Sequence, residues 1–131
     1  MKREREKKIT RLHLILFALV VTTIIVVVTT VMTSGNKKIE RYKKLEKDLN
    51  TATIYYYGSK EEELEKGRMK VIKMQTIIDN GYLQDEITSK CKGYTIVSNY
   101  RIAGEYEISY ESYIKCGNTY VTPDFEEEYL K

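Results

Sequence analysis

Leu12-His13-Leu14-Ile15-Leu16-Phe17-Ala18-Leu19-Val20-Val21-Thr22-Thr23-Ile24-Ile25-Val26-Val27-Val28-Thr29-Thr30-Val31-Met32-Thr33 is the stretch whose reading decides how this chain is built. Its 22 residues hold one ionisable side chain, His13, and no Asp, Glu, Lys or Arg. As a helix it spans roughly 33 Å against a hydrocarbon core of about 30 Å, so one pass suffices. Lipid offers the backbone no hydrogen-bond partners, which forces a helix on the segment despite its β-branched content. Thr22, Thr23, Thr29 and Thr30 are placed to return their hydroxyls to the preceding helical turn. A buried core helix of this length would need a large protein around it, and 131 residues do not supply one. A cleaved signal peptide has an apolar region of about 7–15 residues and a small-x-small site. This run is longer, and Met32-Thr33-Ser34-Gly35 is a poor site. The expectation is an uncleaved anchor.

Outward from the run, charge separates the chain into parts. Residues 1–11 carry six basic and two acidic side chains, residues 36–50 six and three, and residues 51–131 ten and fourteen. A nucleic-acid-binding domain shows its basic excess on the folded part. Here the excess flanks the apolar run, which points to anionic lipid headgroups and excludes nucleic acid as the partner. The six basic residues before the run favour a cytoplasmic amino terminus, but Lys37, Lys38, Arg41, Lys43, Lys44 and Lys47 match them on the other side. Charge alone is a near tie.

The chain has no Trp, one Pro and one His, which excludes most catalytic and metal constellations by count. His13, near the basic end of the run, reads as a snorkelling interfacial residue rather than a general base. Asp85-Glu86 and Glu126-Glu127 sit in no motif and read as surface charge, and Glu126-Glu127-Glu128 as a solvated end. No Gly-rich loop has phosphate-binding spacing. The expectation is a non-enzyme without cofactor, metal or small-molecule substrate.

After Gly35-Asn36, Ile39, Tyr42, Leu45, Leu49, Ala52 and Tyr56 recur at spacings of three and four, one face of an amphipathic helix. Gly35-Asn36 either bends the chain or lets the helix run through. The stripe packs on the protein's own sheet or, alternatively, on a coiled-coil partner. Gly58-Ser59 ends that helix, Lys60 to Lys66 is a charged connector, and Gly67 breaks it. Val71 and Ile72 read as a short strand or an extended approach. Met74, Ile77 and Ile78 give a short helix stopped by Asn80-Gly81, with Tyr82-Leu83 folding back. Two alternating runs, residues 93–100 and 105–116, joined by Arg101-Ile102-Ala103-Gly104, read as a hairpin.

Cys91 and Cys116 are the only cysteines, and neither has the close Cys or His neighbours that a zinc site needs. Their midpoint falls between Ala103 and Gly104, so a hairpin turning there sets them opposite one another. The same register pairs Val97 with Tyr110 and Asn99 with Ile108. The expected disulfide belongs to an oxidising compartment and breaks the orientation tie towards an exported carboxy-terminal domain. The alternative is two buried reduced thiols in a cytosolic domain.

Tyrosine is over-represented, at 12 residues. Tyr94, Tyr100, Tyr106, Tyr110, Tyr113 and Tyr120 lie in or beside the hairpin. They serve either as cross-strand packing in a core without tryptophan or as a candidate interaction face.

The order of parts resembles the type IV pilins and pseudopilins. A membrane helix runs into an amphipathic helix ending Leu49-Asn50-Thr51-Ala52-Thr53-Ile54-Tyr55-Tyr56-Tyr57. A charged loop follows, then Ile77-Ile78-Asp79-Asn80-Gly81-Tyr82-Leu83, then a Tyr-rich hairpin with paired cysteines. The resemblance covers residues 12 to about 120. It implies an α+β fold in which a long amino-terminal helix is half anchor and half packing surface for a small antiparallel sheet. It also implies partnership with other pilin-like chains or with itself through the stalk helix, as in type II secretion-like systems of the bacterial envelope. One departure stands out. Prepilins begin with a glycine, a phenylalanine and a Thr-Leu-Ile/Val-Glu pattern, and Ile9-Thr10-Arg11-Leu12-His13-Leu14-Ile15 has neither the glycine nor the glutamate. The leader site and the register glutamate therefore do not carry over, and the implied protein stays in the membrane.

The resulting organisation is a basic cytoplasmic tail (1–11), a transmembrane helix (12–33), an amphipathic stalk (34–57) and a small extracytoplasmic domain (58–131). Two functions fit it. One is a membrane-anchored structural or assembly component of a secretion or surface-filament system. The other is a stand-alone envelope-facing binding or sensor module.

Overall fold

One helix, α1 (Lys2–Tyr57), passes through Gly35 and Asn36 without interruption in the computed structural model, which describes residues 2–84 and 88–131, with side chains from residue 9 onward. The basic side chains of the tail up to Lys8, and the Asp85-Glu86 pair, lie outside the described residues. The chain divides into two compact units, Met1–Lys38 and Ile39–Lys131.

In the first unit every described side chain is exposed, including the whole apolar run. An 18-residue window there has a mean hydropathy of 2.9, long and apolar enough to cross a membrane. Its hydroxyls are satisfied within the helix. Thr22 Oγ donates to the carbonyls of Ala18 and Leu19, and Thr23, Thr29, Thr30 and Thr33 repeat the pattern one turn back. His13 Nδ1 donates to the Ile9 carbonyl at 2.7 Å, which places a ring proton on that nitrogen.

In the second unit α1 gives way at Gly58 to a short 3-10 helix, Gly58–Glu63. Gly67, at φ 77°, turns the chain into β1 (Met69–Lys73), followed by α2 (Met74–Asp79). Gly81, again left-handed, ends α2, and the Tyr82 N–H donates back to the Ile77 carbonyl. β2 (Lys92–Ile102), β3 (Glu105–Cys116) and β4 (Tyr120–Val121) complete a four-stranded antiparallel sheet in the order β1-β2-β3-β4.

The hairpin register is the expected one, with Val97 opposite Tyr110 and Asn99 opposite Ile108. The turn is tighter than the four-residue connection read from sequence. β2 continues through Arg101 and Ile102, leaving Ala103 (φ 49°) and Gly104 (φ 97°) as its two central residues. Positive φ at both positions matches the right-handed twist of the flanking strands. Cys91, just ahead of β2, and Cys116, the last residue of β3, form a disulfide with α-carbons 4.1 Å apart.

α1 lays Tyr42, Leu45, Leu49 and Ala52 into a core shared with Ile72, Ile77, Val97 and Ile114. The stripe therefore packs on the protein's own sheet. Two of its members differ from the sequence reading. Ile39 is exposed, at the margin of the face, and Tyr57 rather than Tyr56 is the deeply buried ring. A helical face of about 100° is wider than a three-four spacing and takes in Thr53 as well. Leu83 is buried in the same core, so the fold-back after α2 is real.

The carboxy-terminal segment is not a free solvated end. Glu126, Glu127 and Glu128 expose their side chains, but Phe125 and Tyr129 on either side of them pack against Tyr94. A 3-10 turn, Glu127–Leu130, holds that geometry. Aromatic residues flanking an acidic triplet were the signal, and charge masked it.

Candidate functional site

The six hairpin tyrosines do not share a face. Strand alternation sends Tyr94, Tyr100 and Tyr113 to the side away from α1, and Tyr106, Tyr110 and Tyr120 to the α1 side.

Tyr94 is fully buried. Its ring stacks on Tyr113 at 5.3 Å and meets Phe125 and Tyr129 at 5.4 and 5.2 Å. The Glu126 N–H donates to its hydroxyl at 2.8 Å. Burial is the main reason its pKa rises; that hydrogen bond acts the other way and is outweighed. The Glu127 carboxylate receives Lys115 at 2.5 Å and Lys92 at 3.5 Å, and the hydrogen bond from Lys115 leads in holding its pKa down. Tyr113 donates to Glu111 at 2.7 Å, and this bond, with burial, pushes its pKa up to about 12.

On the α1 side, Tyr110 donates to Glu61, and burial together with that carboxylate raises its pKa. Tyr120 donates to Glu46 at 2.9 Å, and Thr122 donates to the same carboxylate at 2.6 Å. Thr122 Oγ in turn accepts the Ile114 N–H at 2.9 Å, so one glutamate of α1 ties β4 and the strand beside it to the helix. Four of the six tyrosines are thus structural. Tyr100 and Tyr106, 48% and 46% exposed, remain accessible near the hairpin turn on opposite faces of the sheet, with exposed Ile102 on the face of Tyr100. The Lys66 ammonium sits 5.1 Å over the Tyr106 ring.

A line of hydroxyls runs from the helix across the sheet. Thr53 donates to the Leu49 carbonyl at 2.8 Å and meets Thr95 at 3.0 Å, and Thr95 meets Ser112 at 2.7 Å. Thr53 and Thr95 are fully buried, and a buried hydroxyl is costly unless bonded. Sequence reasoning passed over both because hydroxyls carry no apolar period. Glu46 and Glu61 were missed for the same reason. Their partners lie far along the chain.

This arrangement matches no known protein family model, no curated protein and no solved structure. Among the described residues, no three His, Cys, Asp or Glu side chains converge as a metal site requires. Near the hairpin turn two phenol rings, an isoleucine and a lysine held on one of the rings are exposed, interleaved with the charged side chains of Arg101, Glu105 and Glu107.

Proposed function

We propose that this chain is a membrane-anchored, pilin-like structural or assembly component, with its carboxy-terminal domain outside the cytoplasm and no catalytic role. The observation that carries this reading is the dual use of α1. One uninterrupted helix supplies an exposed apolar run of membrane-spanning length and, further along, the face that packs on a small antiparallel sheet. The Cys91–Cys116 disulfide favours the oxidising side of the membrane for the domain. Exposed Tyr100 and Tyr106 would supply contact area to neighbouring chains at low entropic cost.

The test is membrane solubilisation of the natively expressed chain, followed by crosslinking and alkylation without reductant. Recovery with a second copy or another pilin-like chain, with no free thiol, is expected. Two alkylated thiols would overturn the outer placement. A second reading, a stand-alone envelope-facing module, draws on the missing glycine and glutamate in Ile9-Thr10-Arg11-Leu12-His13-Leu14-Ile15. Recovery of the chain as a lone monomer would favour it.

A further inference from the structure

β1 ends the sheet on one side, and no strand pairs with its far edge among the described residues. The Asn99 N–H donates to the Arg68 carbonyl at 2.9 Å, which sets the alternation along the ladder. Lys70 and Ile72 therefore turn their backbone groups towards β2, and Val71 turns its N–H and C=O outward. Among the described residues no hydrogen bond reaches either group of Val71.

Beside that edge lies a cleft of about 390 Å³ between β1, α2 and the end of α1. Tyr56, Tyr57, Lys60, Lys70 and Lys73 line it; no described carboxylate does, and Glu61 and Glu63 act on the Tyr57 ring from outside the lining. The Lys60 ammonium stands 4.8 Å over the Tyr56 ring and that of Lys70 5.4 Å over Tyr57. Each ring holds one side of an ammonium, leaving its other N–H donors for a ligand. Lys73 already donates to the Lys131 carbonyl at 2.9 Å and serves as background charge. The positive cleft stands out because residues 51–131 as a whole carry ten basic against fourteen acidic side chains.

The charges choose among occupants. A second copy of β1 laid along this edge would bring the lysines of the two copies together, and like charges on neighbouring strands are destabilising. A strand that carries carboxylates would gain ion pairs instead. A polyphosphate would satisfy the ammonium groups but has no backbone for Val71. We propose that the free edge of β1 is a docking site for an extended acidic segment of a partner protein. The segment adds to the sheet as a further strand and places its carboxylates on Lys60 and Lys70. The proposal does not depend on the domain being pilin-like or on its side of the membrane.

The experiment uses the full chain in detergent micelles and a fluorescent synthetic peptide of alternating glutamate and valine, read by anisotropy. The peptide should bind, and Lys60→Glu with Lys70→Glu should weaken it by about tenfold or more. That double variant should instead take up the matching lysine–valine peptide. Val71→Pro removes the outward N–H and should abolish binding without shifting the melting temperature. Where Val71→Pro fails to fold, the charge-swap pair decides. Failure of the acidic peptide to bind, or equal binding by the native chain and the charge variant, would overturn the proposal and leave the lysines as guards of an unused edge. Unchanged peptide binding by folded Val71→Pro, displaced by inorganic polyphosphate, would also overturn it in favour of a simple anion site.

Discussion

Thr22 and Thr53 occupy one helix and make the same first hydrogen bond, to the carbonyl four residues back, at 3.0 and 2.8 Å. There the likeness ends. Thr22 is exposed on an apolar surface and its hydroxyl stays within its own helix. Thr53 is fully buried and reaches across to Thr95 and, through it, to Ser112. The same contrast holds for leucines. Leu19 is exposed, whereas Leu49 is at the centre of the core. Identical helix geometry thus serves two environments. In one half the side chains have only a solvent to match, and in the other they have named partners. Substitutions in the first half should act through the solvent, and those in the second through packing.

The largest effect should separate the halves directly. Leu49→Ala should cost the domain about 2–5 kcal/mol, read as a lower melting temperature of the full chain in detergent. Leu19→Ala should leave that melting temperature unchanged; an equal drop would erase the distinction. Reducing Cys91–Cys116 releases a cross-link with a sequence separation of 25. From the entropy of loop closure this should cost about 3–4 kcal/mol, seen as earlier denaturant unfolding in reductant with Leu19→Ala as the unaffected reference.

Val21→Arg is the converse experiment. It should impair membrane insertion by about 2.5–3.5 kcal/mol, measured as the inserted fraction in microsomes, while the melting temperature of the domain holds. Co-loss of domain stability would show that the two halves of α1 are not independent. Thr53→Val should cost about 1 kcal/mol because it removes one partner from a buried hydroxyl line. Thr22→Val should leave insertion unaltered. A silent Thr53→Val would reduce the cross-sheet line to coincidence.

The smallest effect is alkaline. Tyr113 donates to Glu111 and its pKa is raised to about 12 from the ordinary 10.0. The raised folded pKa means its contribution is present in full below pH about 10 and is lost as pH climbs through about 12. A phenolate absorbance titration should show several late-ionising tyrosines, Tyr94 and Tyr110 among them, and Tyr113→Phe should remove one of that group. A late phase of unchanged amplitude in Tyr113→Phe would deny the Glu111 contact its role.

Several parts of this molecule were legible in advance because they depend on near neighbours. The apolar run is legible from its length and lack of charge, since a helix in lipid satisfies its own backbone. The Leu45-Leu49-Ala52 face is legible from helical period, and the hairpin register from a sum of positions that also brings Cys91 to Cys116. The fold-back at Gly81-Tyr82-Leu83 follows from local turn chemistry. What tertiary structure alone decided lies at long separations. It set Glu46 beneath Tyr120 and Thr122, Glu61 against Tyr110, and the Phe125–Tyr129 segment over Tyr94. It also left β1 with an open, lysine-lined edge. The physical reason is that period and turn preference act over a few residues. A polar side chain, by contrast, acquires its meaning only from the partner that folding brings within about 3 Å of it.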